Sequence, residues 1–197
     1  MHIIIAGAAR AGKTTLSLML GEKGYVHYKM DSIKRGICEA YNLKYDDWAD
    51  VSPIMCTIIN RIIEDNKTDT NFGKENYLFD TPYIYPKHIE KISAEDTLVI
   101  FIGYAHTTAI ENFKARRLHD KENLWTRKLS DKQLLKNAQM DVDFSKEIEK
   151  ECKELGIAYF DTSENREEVL NSIIDFIEER ERVYNNVKKL NLKENIK

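Results

Sequence analysis

The sequence predicts an α/β fold, a three-layer arrangement of a five-stranded parallel sheet with helices on both faces. Five short apolar runs punctuate the chain, at His2–Ala6, Tyr25–Met30, Asn76–Phe79, Thr97–Ile102 and Ala158–Phe160. Longer stretches of helical period separate them, and that alternation marks strands joined by crossover helices. The first run breaks directly into small residues around Gly7 and Gly12, a turn that opens into a helical segment.

The periodicity predicts helices over Lys13–Glu22, Ser32–Tyr41, Pro53–Glu64 and Ala105–Leu118, then over Asp131–Ala138 and Phe144–Leu155 and from Glu164 onward. Ser52 is placed to cap the third of these, with Pro53 at its first position, where a missing N–H costs nothing. Gly156 is suited to end the sixth as a left-handed C′ residue. The last shows one apolar face, Leu170, Ile173, Ile174 and Ile177, which thins through Tyr184, Val187 and Leu190. One domain over residues 1–180 is therefore expected, with 181–197 a helical extension that is either solvated or binds a partner. At 197 residues the chain can bury a full single core.

Thirty basic residues against thirty-three acidic ones give a formal charge of −3, with no polybasic stripe to track a nucleic acid or an anionic membrane. A small anionic ligand held by a few local cations remains compatible. No run has the length of a membrane span, and the apolar start is interrupted too early for a signal-peptide core, so a cytoplasmic protein is expected. Cys38, Cys56 and Cys152 lie far apart, and the five histidines are scattered. That excludes a disulfide framework or zinc site by spacing, and the expected metal is one that arrives with a ligand. Oligomeric state is not encoded in any pattern.

Gly7, Gly12, Lys13 and Thr14 fit G-x-x-x-x-G-K-[ST], with a strand before the motif and a helix after it, as its mechanics require. Glycines let the backbone of Gly7, Ala8, Ala9, Arg10, Ala11 and Gly12 turn tightly around a polyanion. The loop N–H groups and the first helical turn then point positive dipole ends into one hollow. Lys13 is placed to bridge β- and γ-phosphates, the Thr14 hydroxyl to ligate Mg²⁺, and Thr15 to reach the α-phosphate. With these residues the chain resembles the P-loop NTPase superfamily, and the features below resemble its small-molecule and nucleotide kinase branch, of the nucleoside monophosphate kinase and shikimate kinase type. The resemblance spans about Met1 to Ile177. It implies sheet order 2-3-1-4-5, ATP as co-substrate with Mg²⁺, and a lid inserted after the fourth strand, at about 104–138.

Asp80, ending the short strand of "NYLFD", resembles the Walker B carboxylate that orients Mg²⁺; alternatively it is a turn residue before Pro82. Asp31, just past the second strand, stands where kinases of this branch carry an acid that binds or deprotonates the acceptor hydroxyl, and where a helix dipole favours an acid in any case. Lys34 and Arg35 follow it and could hold an anionic acceptor, or be solvated charges. Arg116, Arg117 and Arg127 flank a polar, turn-prone stretch that resembles the lid, whose arginines neutralise the moving phosphoryl group. Adjacent helical residues point about 100° apart, so only one of Arg116 and Arg117 is expected to face the nucleotide. The loop at Asp161, Thr162 and Ser163 corresponds to one that lines adenine through backbone atoms in this branch, and the hydroxyls also suit helix caps.

Asn66, Lys67 and Asp69 match a guanine-reading N-K-x-D, but they follow a helix and precede the Asp80 strand, so the match is read as coincidental. After Asp80 the chain reads Thr81, Pro82, Tyr83, Ile84, Tyr85, Pro86. It lacks the glycine, aromatic, proline and arginine run of nucleoside monophosphate kinases, which argues against that acceptor class. Tyr83 could stack on a sugar or aromatic acceptor, or be core. The resulting expectation is an ATP- and Mg²⁺-dependent kinase of a small-molecule acceptor. A nucleotide-dependent ATPase switch acting through a protein partner is the alternative, followed by a nucleotide-binding module without turnover.

Overall fold

The computed structural model describes residues 1–44, 48–68, 75–82, 84–92, 96–118 and 124–194. Strands β1 (His2–Gly7), β2 (Val26–Lys29), β3 (Tyr77–Asp80), β4 (Thr97–Gly103) and β5 (Ala158–Asp161) form one parallel sheet in the order β2-β3-β1-β4-β5. This is the predicted architecture and order. Ile3, Ile4 and Ile5 are all 0% exposed, and because consecutive strand residues point to opposite faces, both faces of β1 must be covered. That is why its run is continuously apolar rather than alternating.

The strands meet at one edge. Ile5 and Lys29 both register with Asp80, Gly7 with Ile102, and Gly103 with Asp161, so the chain leaves β1, β2, β3, β4 and β5 along a common C-terminal rim. Helices α1 (Lys13–Gly21), α2 (Met30–Ala40), α3 (Trp48–Thr68), α4 (Ala109–Leu118), α5 (Leu124–Arg127), α6 (Asp131–Leu155) and α7 (Arg166–Glu194) provide the covering layers, with a 3₁₀ segment at Pro86–Lys91.

Four local expectations are corrected. Helix α3 begins at Trp48 rather than Pro53, and Pro53 lies within it. Its ring there deprives only the Ala49 carbonyl of a partner. Ser52 is consequently not a cap but a buried fastener: its Oγ accepts the Tyr85 N–H at 2.8 Å and lies 2.7 Å from His88 Nδ1, pinning the 3₁₀ segment to α3. Helix α4 starts at Ala109, not Ala105. Thr108 and Glu111 hold that start reciprocally, the Glu111 carboxylate accepting from Thr108 N at 2.8 Å and Thr108 Oγ1 accepting from Glu111 N at 3.2 Å. The segments Asp131–Ala138 and Phe144–Leu155 are one helix, α6, opened by a Ser130–Gln133 capping box and closed by Gly156 at φ 67°. The polar interval between them belongs to the inward face, which runs Leu134, Ala138, Asp141, Val142, Ser145, Ile148 at helical spacing. Finally, Thr162 and Ser163 do not cap α7, which begins at Arg166.

Helix α7 continues unbroken to Glu194. Leu170, Ile173 and Ile177 are buried, whereas Val183, Val187 and Leu190 are exposed. Two polar ties, Lys23 to Glu178 and Tyr25 hydroxyl to Glu181, fasten it beside β2. No described helix is long and apolar enough to cross a membrane.

Three imidazoles are held neutral by the fold. His2 is 3% exposed and its Nδ1 accepts the Tyr77 N–H at 3.1 Å, so protonation there breaks a buried hydrogen bond. Burial lowers the pKa of His2, His27 and His88 below the ordinary 6.5. The unfolded chain therefore binds protons that the folded chain refuses, and unfolding takes up protons just below that value. Their contribution is complete above pH 6.5 and is lost as the pH falls below it. Thermal melts should show a falling Tm between pH 7 and 5.5, with a shallower slope in His2→Asn, which keeps an acceptor for Tyr77.

Candidate active site

The rim of the sheet is where the chemistry gathers. Gly7 has φ +128°, and a Cβ there would lie 1.9 Å from the Ile102 carbonyl oxygen, so any side chain collides with β4. Gly12 has φ +115°, with Leu170 and Arg166 of α7 packed against it. Arg10, at φ 65°, also turns left-handed. These three reversals wrap residues 7–12 into a tight loop ahead of α1.

The loop's carbonyls are engaged behind it. Lys13 Nζ donates to Gly7 O at 3.1 Å and Ala8 O at 2.7 Å, Tyr104 Oη donates to Ala9 O at 2.8 Å, and Thr162 Oγ1 donates to Ala11 O at 3.1 Å. The Thr162 N–H donates to Gly103 O at 2.7 Å, so this residue ties the loop to the end of β4. Leu16 N is the first α1 amide to reach back, to Gly12 O. The N–H groups of Lys13, Thr14 and Thr15, which a helix start cannot satisfy internally, remain to serve the hollow. With the carbonyls of Gly7, Ala8, Ala9 and Ala11 each holding a donor, these amides are suited to an anion.

Lys13 is 7% exposed. Burial pulls its pKa down, while the charges of Asp80, Asp31 and Asp141 act in the opposite direction. The charges that favour its protonated form thus come from three different elements, β3, α2 and α6. Thr14 Oγ1 donates to Asp80 Oδ2 at 2.6 Å. A hydroxyl and a carboxylate in contact beside an anion hollow are hard oxygen donors, the set that suits Mg²⁺ carrying phosphates. Among the described residues no group of three or more His, Cys, Asp or Glu side chains is placed to hold a metal alone.

Asp31 is the second residue of α2 and is exposed, Lys34 is 1% exposed, and Arg35 is on the surface. Arg116 and Arg117 are both engaged by neighbouring side chains and carbonyls. Arg116 is 3% exposed, with Nη2 2.6 Å from Asp141 Oδ2 and 2.8 Å from Tyr104 Oη, and Nε donating to Asn112 Oδ1 at 2.7 Å. Arg117 donates to Asp131 Oδ1 at 2.6 Å and Leu129 O at 2.9 Å, joining the end of α4 to the start of α6. Arg127 is exposed on α5. Tyr83 and the centre of the expected lid, residues 119–123, lie outside the described residues.

Three residues not singled out from the sequence also build this rim. Tyr104 holds a loop carbonyl, Asp141 holds Arg116, and Arg166 Nη2 reaches Thr15 Oγ1 at 3.5 Å. Each is a long-range partner that no local pattern marks. Asp161 accepts from the N–H groups of Ala105 at 2.6 Å and Ser163 at 2.8 Å, locking together the loops after β4 and β5. Asn66, by contrast, bonds Glu75 O and Tyr77 Oη, and Lys67 pairs with Asp96, whose carbonyl receives His2 N at the far edge of the sheet. Asp69 lies outside the described residues. A cleft of about 330 Å³ opens at that far edge, but its Asn66 and Lys67 are engaged in this fastening.

No protein-family model and no curated protein sequence matches the chain. Solved structures do. A gluconokinase from Sinorhizobium meliloti 1021 superposes with TM-score 0.56 at 14% identity, covering 94% of this chain and 96% of that one. A dephospho-CoA kinase from Campylobacter jejuni gives TM-score 0.50 at 13% identity, with 93% and 98% covered. The fold is the P-loop kinase-like fold.

The loop geometry carries a direct expectation. Gly7→Ala should lower the stability by at least about 1–3 kcal/mol, because it adds both left-handed strain and a backbone collision. Gly21→Ala, at the end of α1 with nothing within 4 Å of the added carbon, should be neutral or stabilising by up to about 1 kcal/mol. Urea unfolding of the two variants beside wild type measures the contrast.

Proposed function

We propose that this protein is a nucleotide-dependent phosphotransferase, an ATP- and Mg²⁺-requiring kinase whose acceptor is a small molecule bearing an alcohol group. The observation that carries the reading is the loop at the strand rim: buried Lys13 holds two of its carbonyls, and the Thr14–Asp80 hydroxyl–carboxylate pair stands at its exit. The kinase titles of the structural neighbours support the same class. A hydrolytic switch needs the loop and the pair, but has no use for an acid at Asp31.

In this reading the loop amides and Lys13 hold the triphosphate. Lys13 exchanges the Gly7 and Ala8 carbonyls for β- and γ-phosphate oxygens, a swap between acceptors that leaves its charge buried and paired throughout. Thr14 and Asp80 would hold Mg²⁺, which when bound would spread the charge of the phosphate oxygens. Asp31 orients the acceptor hydroxyl and takes its proton as that oxygen attacks the γ-phosphorus and the bond to the β-phosphate oxygen breaks. Arg35 serves an acceptor's anionic group, as does Tyr83 by stacking on its carbon framework. Neutralising the moving phosphoryl group falls to Arg127, since Arg116 and Arg117 are engaged at the base of the lid.

Phosphorus NMR with Mg-ATP and a pooled set of sugars, nucleosides, hydroxy acids and aminoglycosides tests this. A new phosphoester signal should appear, fall by about 10²–10⁴ in Asp31→Asn and by at least about 10² in Lys13→Ala. Inorganic phosphate released equally by wild type and Asp31→Asn, with no phosphoester, would favour the ATPase switch instead. A Mg²⁺ titration makes the second test. Chelation should abolish turnover, and Asp80→Asn should raise the Mg²⁺ concentration for half-maximal rate by about 10–100-fold; an unchanged midpoint would remove Asp80 from the metal site.

A further inference from the structure

Arg116, Asp141 and Tyr104 form a connected chain that ends on the phosphate loop, and nothing in the proposed chemistry consumes it. Tyr104, the first residue past β4, is 6% exposed, and its hydroxyl lies 2.8 Å from both Ala9 O and Arg116 Nη2. A phenol has one proton to give. A guanidinium only donates, so Arg116 must occupy a lone pair of the Tyr104 oxygen, and the single proton is then directed to Ala9 O. Arg116 is held in turn by Asp141 Oδ2 at 2.6 Å and Asn112 Oδ1 at 2.7 Å, all within buried surroundings.

We infer that Arg116, through Tyr104, is a positioning residue for the phosphate loop. It fixes the carbonyl of Ala9 outward, so that the crest of the loop presents N–H groups to a bound nucleotide. The need is specific to this place. The Gly7 and Ala8 carbonyls are held by Lys13, which on the reading above leaves them when phosphate arrives. Ala11 O is held by Thr162, leaving Ala9 O as the crest carbonyl whose hold comes from α4 and α6. A carbonyl that swung inward would set a negative dipole against the phosphates. The arrangement also accounts for a buried arginine at the end of α4 without placing it over the nucleotide.

The inference rests on the nucleotide-binding part of the proposed function, and its test separates the two. The probes are Mg-ADP, whose β-phosphate engages the loop, and AMP, which lacks that phosphate; affinities are read by calorimetry. Tyr104→Phe removes one hydroxyl and keeps the ring, and should weaken Mg-ADP by about five- to tenfold with AMP unchanged. Arg116→Met alone would strand a buried carboxylate, and Asp141 also acts on Lys13, so Arg116→Lys is used, which keeps a cation beside Asp141 but loses the guanidinium fork that reaches Tyr104. It should weaken Mg-ADP by a smaller factor in the presence of Tyr104. It should have no further effect when combined with Tyr104→Phe, because both changes act on the same bond. Equal affinity of wild type and Tyr104→Phe for Mg-ADP would overturn the inference, as would a loss from Arg116→Lys that is the same with and without Tyr104→Phe. Failure of wild type itself to bind Mg-ADP would overturn the nucleotide reading, and this inference with it.

Discussion

The constraint on which the site depends is the accounting of carbonyl groups in residues 7–12. A loop can offer its amides to an anion only if its carbonyls find donors elsewhere, and here the donors are Lys13, just past the loop, and Tyr104 and Thr162, far along the chain. The glycine reversals bend the backbone, but the donors decide which way the peptide planes face. The sheet supplies them, because parallel strands deliver every loop to the same rim. Tyr104 is there because β4 ends beside β1, and Thr162 because β5 ends beside β4.

Charge follows the same logic. Burying an ammonium is costly, and Lys13 is tolerated because two carbonyls accept from it and the charges of Asp80, Asp31 and Asp141 favour its protonated form. Asp141 also holds Arg116 by direct contact. The buried pair does not by itself argue for stability, since apolar side chains of like volume would fill the space as well. Its value lies in the orientation it imposes.

Much of this was legible in the sequence, for identifiable reasons. All five strands were visible as short apolar runs, unbroken in β1 where both faces are buried, and the glycine–lysine–threonine pattern marks its own loop. The sheet order came from the resemblance rather than from periodicity. What was not legible depends on contacts between distant residues. Asp141 looked like a polar break between two helices because its partner, Arg116, is 25 positions earlier. Ser52 before Pro53 has the form of a helix start, and only the packing of Tyr85 and His88 shows that its hydroxyl is taken. Thr108 and Glu111, by contrast, are a capping pair readable three residues apart, and they set the start of α4.

The central position of β1 has a consequence for how the chain acquires its fold. Ile5 pairs with Asp80 on one side and Ile100 on the other, both many tens of residues later. Every pairing in the sheet crosses over through a helix, so no hairpin can nucleate it and loop closure must precede any reward. During synthesis β1 is made before either of its sheet neighbours and stays unpaired until β3 and β4 have followed. Three consecutive isoleucines thus remain without partners on a nascent chain, a stretch open to aggregation until the sheet that supports the phosphate loop has closed.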